Sequence, residues 1–248
     1  MALYMIGIGL NDEKDITVKG LDYVRKADKV FLESYTSILQ VPVSKLEEFY
    51  GCKVILANRE MVEKNSDKIL DVDSDVAFLV IGDVFSATTH TDLKHRAMKK
   101  GISVEIVNNA SVLNAVGITG LELYKFGKTT SIPFPEKGFE PETPYNVIKD
   151  NGNMHTLVLL DLRPSEDKFM TVNDAITYLL MVEEKREEGV FFSDKKCIGI
   201  ARLGGDVVIK YGKARNLIKE DFGKAPHCLI IPGKLHFVEE EALEKFKI

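Results

Sequence analysis

M-A-L-Y-M-I-G-I-G-L-N-D, residues 1–12, is an apolar strand pattern that runs straight into two glycines, Gly7 and Gly9, and then stops being glycine-rich. A dinucleotide-binding turn needs a third glycine three residues after the second, so that strand and helix pack closely and the helix N-terminus meets a pyrophosphate. Asp12 stands there instead. The two glycines still let a backbone come near a ligand at the end of a first strand, and a ligand without a pyrophosphate is favoured. A tight β-to-α turn with no ligand reads the same way.

Outward from this turn, apolar runs alternate with amphipathic segments, the pattern of a parallel α/β sheet. Thr17 reads as a helix N-cap with Ile16 and Leu21 as a hydrophobic staple, and Val18, Leu21 and Val24 as the buried stripe of a helix over 18–27. Lys29–Glu33 and Lys53–Ala57 read as strands, with a helix centred on Lys45–Tyr50 between them and another over Arg59–Leu70. V-A-F-L-V-I at 76–81 is apolar at every position, as expected of a central strand covered on both faces. Thr88 and Thr89 are candidate caps for a helix that buries Leu93 and Ala97 and closes at Gly101; Val104–Val107 is one more strand.

The pattern changes after residue 110. Ser111 can cap a helix through Val112, Leu113 and Val116, and the region to Gly127 reads as a looser connector. Two domains are expected, 1–110 and 111–248. Strands over Thr129–Phe134, Thr156–Leu162, Cys197–Leu203, Val207–Tyr211 and Cys228–Ile231, with a helix over Val172–Lys185, build the second. No helix fits around Gly204–Asp206, so one pair there is antiparallel and this sheet is mixed.

The chain has 248 residues, 45% of them hydrophobic and 29% charged, with a formal net charge of -5. That balance argues against a general nucleic-acid binder, which would show a basic face to phosphates. No leader pattern opens the chain and no run approaches the ~20 apolar residues of a membrane helix, so a soluble intracellular protein is expected. Cys52, Cys197 and Cys228 read as buried free thiols. His90 and His95 are five apart, roughly 140° around a helix, and cannot share a metal from one face. His155 and His227 each precede an apolar run, where a histidine is usually structural. Asp83 follows the central strand, where ligands bind in open α/β sheets; it either accepts hydrogen bonds from a ligand or turns the chain.

Several stretches together resemble the diphthine synthase family, part of the tetrapyrrole methylase-like superfamily. They are I-G-I-G-L-N-D-E-K-D-I-T-V-K-G-L at 6–21, Y-T-S at 35–37, G-D at 82–83 with A-T-T-H at 87–90, and N-A-S-V-L-N-A-V-G-I-T-G-L at 109–121. Y-K-F-G at 124–127, H-T-L-V-L-L-D at 155–161, M-T-V-N at 170–173, G-I-A-R at 199–202, D-F-G at 221–223 and P-H-C-L-I-I-P-G-K-L-H at 226–236 follow in order.

The resemblance implies a two-domain α/β fold with a parallel-sheet N-terminal and a mixed-sheet C-terminal domain, S-adenosylmethionine folded in the cleft between them, and a cytoplasmic homodimer. It implies methylation of the amino group of a 3-amino-3-carboxypropyl-histidine of translation elongation factor two, with S-adenosylhomocysteine as product. The positions matching the family's cofactor contacts are Leu10, Asp83, Ser86, Ser111, Val112, Leu160, Leu203 and His227. No metal and no dedicated base are implied. The family's P-G-D-P is Ile81-Gly82-Asp83-Val84 here, and without its prolines that loop loses preset geometry. A tetrapyrrole or RNA methyltransferase sharing the cofactor, and a non-catalytic binding subunit, are the rival readings.

Overall fold

The computed structural model describes residues 1–70, 73–86, 88–136, 138 and 140–248. The chain forms two compact units, Met1–Ala115 and Val116–Ile248.

The first unit is built on five strands, β1 (Ala2–Gly7), β2 (Lys29–Glu33), β3 (Val54–Ala57), β4 (Val76–Val80) and β5 (Ser103–Val107). They lie in the order β3-β2-β4-β1-β5 and every pair is parallel. Strand alternation then sorts the apolar side chains onto two faces. Leu3, Met5, Val76, Phe78 and Val80 share one cluster, and Tyr4, Ile6, Ala77 and Leu79 the other. This is why 76–80 is apolar throughout: each of its residues is at most 2% exposed.

Among the described residues five helices connect the strands, α1 (Val18–Lys26), α2 (Val43–Tyr50), α3 (Arg59–Glu63), α4 (Asp67–Leu70) and α5 (Thr91–Lys99), and α6 (Val112–Ala115) follows β5. Thr17 caps α1 as expected, accepting from the Gly20 N–H at 3.0 Å. Val18 does not join the buried stripe. It occupies the first helical position and is 79% exposed, while Gly20 and Val24 face the core. The expected helix over 59–70 is two short ones, because Ser66 starts a second turn whose Ile69 and Leu70 N–H groups bond its carbonyl at 2.8 and 2.9 Å. Thr88 and Thr89 do not cap α5; their hydroxyls turn to the Val84 carbonyl and to Glu63.

The second unit holds β6 (Thr130–Ile132), β7 (Thr156–Leu160), the short pair β8 (Leu162–Arg163) and β9 (Lys168–Phe169), β10 (Lys196–Ala201), β11 (Val208–Lys213) and β12 (His227–Ile231). The main sheet runs β11-β10-β12-β7-β6, and only the β6–β7 pair is parallel, so the sheet is mixed. The helices are α7 (Thr143–Asn151), α8 (Val172–Arg186), α9 (Ala214–Leu217) and α10 (Phe237–Glu244). A reciprocal Thr171–Asp174 capping box opens α8, and Ala175, Ile176, Leu179 and Val182 bury its inner face. Cys197 and Cys228 are buried and Cys52 half-buried, all three free; burial pushes the first two thiols up to about 12 and leaves them inert.

Candidate functional site

In the first unit the ends of β1, β4 and β5 meet around three glycines. Gly7 has no room for a side chain, since a Cβ would lie 2.6 Å from the Gly82 carbonyl oxygen. Gly9, at φ +79°, pairs with Gly82 through a 2.7 Å bond from the Gly82 N–H to the Gly9 carbonyl. The next two amides, Leu10 and Asn11, point their N–H groups together as a phosphate-binding turn would. The protein's own Asp15 fills that place: its Oδ2 accepts from both, at 3.1 and 2.8 Å. Two amides already bonded to a carboxylate have nothing to give a pyrophosphate.

Gly82 itself leaves space. At φ +85° an added Cβ would stand in ordinary van der Waals range of Leu10 Cδ2 and the Ala110 carbonyl, both 3.7 Å, and of Ser111 Cα, 3.9 Å. Leu10, Gly82, Ala110 and Ser111 therefore close around room for a single methyl group, which residue 82 leaves unfilled because it has no side chain. Val112 is half-buried in the first turn after Ser111. Ser111 is fixed by its Oγ accepting from the Leu113 N–H at 3.2 Å and its N–H donating to Asn114 Oδ1 at 2.8 Å.

Asp83 is the knot of this corner. Its Oδ1 accepts from the Phe85 N–H at 3.1 Å and the Ser86 hydroxyl at 3.2 Å; its Oδ2 accepts from Asn108 Nδ2 at 2.9 Å and the Asn109 N–H at 3.1 Å. Four donors occupy about all the lone-pair sites of a carboxylate. Burial pushes the Asp83 carboxyl up, but these bonds outweigh it and hold the group below its ordinary value. Asp83 thus ties the loop after β4 to the end of β5. Asn109 completes the weave, donating through Nδ2 to the carbonyls of Gly7 and Asp15, 2.9 Å each. The loop that lacks proline geometry is held by side chains instead: Thr88 Oγ1 lies 2.7 Å and His90 Nδ1 3.3 Å from the Val84 carbonyl. Ala87, within the A-T-T-H match, lies outside the described residues.

In the second unit, Leu160, Leu203 and His227 gather at one end of the mixed sheet. His227 opens β12 opposite Ala201, one residue before Cys228, which pairs with Leu159 next to Leu160. Leu203 lies two residues past the end of β10 and is 8% exposed. Its neighbour Arg202 is held at φ +53° by its own guanidinium, which donates to the carbonyls of Phe222 and Lys224 at 2.9 Å each. Those bonds offset the strain of a left-handed residue and fix where Leu203 projects. His227 is satisfied within the unit. Nε2 meets the carbonyls of Gly223 and Lys224 at 3.1 Å, and Nδ1 accepts from the Val172 N–H at 3.4 Å. Burial depresses its pKa despite the two carbonyls, so the ring is neutral.

Asp15, Asn108, Asn109 and Arg202 are the supporting residues that sequence reasoning missed. Among the described residues no three or more His, Cys, Asp or Glu side chains gather as a metal site, and no helix is long and apolar enough to cross a membrane.

Residues 2–204 match the family model of the tetrapyrrole (corrin/porphyrin) methylases. The chain is 49% identical over 250 positions to the "Diphthine synthase" of Methanocaldococcus jannaschii, spanning 98% of this chain and 97% of that one. It is 48% identical over 271 positions to the "Probable diphthine methyl ester synthase" of Arabidopsis thaliana, spanning 99% and 98%. A crystal structure of a diphthine synthase superposes with a TM-score of 0.91 at 39% identity, over 100% of this chain and 96% of that one.

Proposed function

The chain belongs to the tetrapyrrole methylase family and is a methyltransferase of diphthamide biosynthesis; we propose that it uses S-adenosylmethionine to methylate the amino group of the 3-amino-3-carboxypropyl-histidine of translation elongation factor two. One observation carries the cofactor reading. The amides of the first turn are spent on Asp15, and Gly82 puts no side chain into the corner between Leu10 and Ser111. A ligand with an adenosine and an amino-acid arm but no pyrophosphate fits that arrangement.

When bound, S-adenosylmethionine supplies a methyl group made electrophilic by its sulfonium. Leu10, Asp83, Ser86, Ser111 and Val112 of the first unit, and Leu160, Leu203 and His227 of the second, are its proposed contacts. Leu10, Val112, Leu160 and Leu203 offer apolar wall, as a mostly apolar ligand site requires. Asp83 acts through the loop it shapes rather than through a free lone pair. His227 has both nitrogens occupied and offers ring surface. Neither is free to take a proton, so no residue of the site is assigned as base. What remains for the protein is alignment of the amine and exclusion of water, which suffices for displacement at an activated methyl carbon.

A homodimer working in the cytoplasm, where the translation factor is, completes the reading on the family likeness. Calorimetry with S-adenosylhomocysteine tests the cofactor, and no binding at micromolar concentration overturns it. Labelled S-adenosylmethionine incubated with elongation factor two bearing the aminocarboxypropyl intermediate tests the acceptor. Intact mass of the product counts the methyl groups, and an unlabelled acceptor alongside cofactor binding rejects the assignment.

A further inference from the structure

One built cluster of the first unit lies beside the corner around Gly82 and touches its loop through His90 Nδ1 at the Val84 carbonyl. It lies at the carboxyl end of β2, the strand beside β4. Glu33, 0% exposed, turns its carboxyl group back on its own chain. Oε1 accepts from the Tyr35 N–H at 2.7 Å and the Thr36 N–H at 2.5 Å, and Oε2 from the Thr36 hydroxyl at 2.6 Å. The turn so fixed sets the Tyr35 ring edge-on to the His90 ring at 6.3 Å, with the Arg59 guanidinium over Tyr35 at 5.0 Å from its centroid.

His90 is fully buried, edge-on to Phe78 at 5.3 Å. A carbonyl can only accept, so Nδ1, facing the Val84 oxygen, carries the proton and Nε2 is left as an acceptor. Burial keeps the ring neutral by lowering its pKa, and burial with the nearby Glu33 pushes the Tyr35 hydroxyl up to about 12, so that it remains a donor. Both Tyr35 OH and His90 Nε2 are buried; His90 Nε2 has no hydrogen-bond partner among the described residues, and Tyr35 OH has only the Thr89 hydroxyl near it, outside good hydrogen-bond geometry. Such groups are rare, because each forfeits its bonds to water. Beside them stands an ion pair, Arg59 with Glu63 at 3.6 Å, whose arginine is 65% exposed and free to turn toward an incoming anion.

A donor, an acceptor, a cation and an anion around one ring complement an α-amino acid group, whose carboxylate accepts and whose amine donates. We propose that this cluster holds the amino-acid end of the methyl acceptor, its carboxylate toward Arg59 and the Tyr35 hydroxyl and its amine toward His90 Nε2. The assignment rests on the methyltransferase reading above. It also gives the loop after β4 two duties: Asp83 at its start shapes the cofactor corner, and His90 at its end receives the acceptor. A neutral amine that donates its N–H to Nε2 keeps its lone pair for the methyl group.

The test uses the full chain with Tyr35→Phe and Arg59→Gln, measuring acceptor KM, the Kd of S-adenosylhomocysteine and Tm. Charge-assisted bonds to a carboxylate make the expected rise in acceptor KM about tenfold or more for each variant, with the Kd within about twofold of wild type. Tyr35→Phe should leave Tm nearly unchanged, because the hydroxyl it removes has only the poorly placed Thr89 hydroxyl beside it. An acceptor KM within about twofold of wild type overturns the assignment and leaves the pair at most a site for a buried water. A fall in Tm together with S-adenosylhomocysteine affinity overturns it too, by making Tyr35 structural. Wild-type protein that binds S-adenosylhomocysteine yet leaves the acceptor unmethylated rejects the methyltransferase assignment itself, a separate outcome.

Discussion

Asp83→Asn isolates what the knot beneath the cofactor corner contributes. The carboxylate accepts four hydrogen bonds, two on each oxygen, and an amide can keep only one of the two acceptors. The least damaging arrangement turns the new NH2 toward Phe85 and Ser86, where the Ser86 hydroxyl can reverse and accept. The Phe85 N–H then loses its partner, at roughly 1–3 kcal/mol, and the bonds from Asn108 and Asn109 fall from charge-assisted to neutral, at roughly 0.5–1 kcal/mol each. The sum, about 2–5 kcal/mol, corresponds to a Tm about 6–15 °C lower at roughly 3 °C per kcal/mol. The loop carrying Ser86 loses its tie to β5, so S-adenosylhomocysteine affinity should fall about tenfold or more, read by calorimetry below the melting range. The pH dependence has a definite sign. The folded carboxyl titrates below its ordinary value, so its contribution is present above pH ~4 and lost as pH falls through the folded pKa. The gap in Tm between wild type and variant should therefore narrow in acid. A variant melting within about 2 °C of wild type at pH 7, or a gap that stays constant down to pH ~3, would refute the reasoning.

Gly82→Ala places a methyl group into the corner between Leu10 and Ser111 at φ +85°; strain of about 1 kcal/mol lowers Tm slightly, while S-adenosylhomocysteine binding should weaken about tenfold or more. Equal affinity in the variant would show that no ligand atom uses that space. Asp15→Ala frees the Leu10 and Asn11 N–H groups, so phosphate should raise the Tm of the variant and not of wild type, as differential scanning fluorimetry can read. Glu239, fully buried, accepts from Lys125 Nζ, His155 Nε2 and the N–H groups of Glu122 and His236. Burial raises its pKa, but these bonds bring it from 4.5 to about 2. The pair of values corresponds to about 3 kcal/mol at most, present above pH ~4.5 and lost as pH falls toward ~2. Glu239→Gln should remove that acid transition from urea denaturation curves, and an unchanged transition would place it elsewhere.

The two-faced parallel sheet was legible because burial on both sides leaves a local trace: 76–80 is apolar at every position, and its residues divide between two clusters. The glycine turn was legible for a similar reason, since positive φ and close backbone approach admit few other residues. Local rules misled where a distant acceptor competed with the local one. Thr88 and Thr89 have the chemistry of caps, yet their hydroxyls find the Val84 carbonyl and Glu63 across the loop. Nothing in F-V-E-E-E-A-L-E at 237–244 marks which glutamate is buried, yet Glu239 is, and it meets His155, 84 residues away.

Asp83 and His227 show the limit most sharply. Position at a strand end made Asp83 a candidate and the family resemblance added His227, and the structure sets both at the strand ends of their sheets. Residue type and position left Asp83 open between a ligand contact and a chain turn and read His227 as structural; the family resemblance raised both to cofactor contacts. The partners each side chain takes, Asn108 and Asn109 for one and the carbonyls of Gly223 and Lys224 for the other, are invisible to spacing rules. A side chain whose capacity is spent on the protein can still govern a site, by fixing the backbone around it. Side chains whose capacity is unspent, Tyr35 and His90, carried no local sign of it, because whether a buried polar atom has a partner is a property of the assembled core and not of the residue.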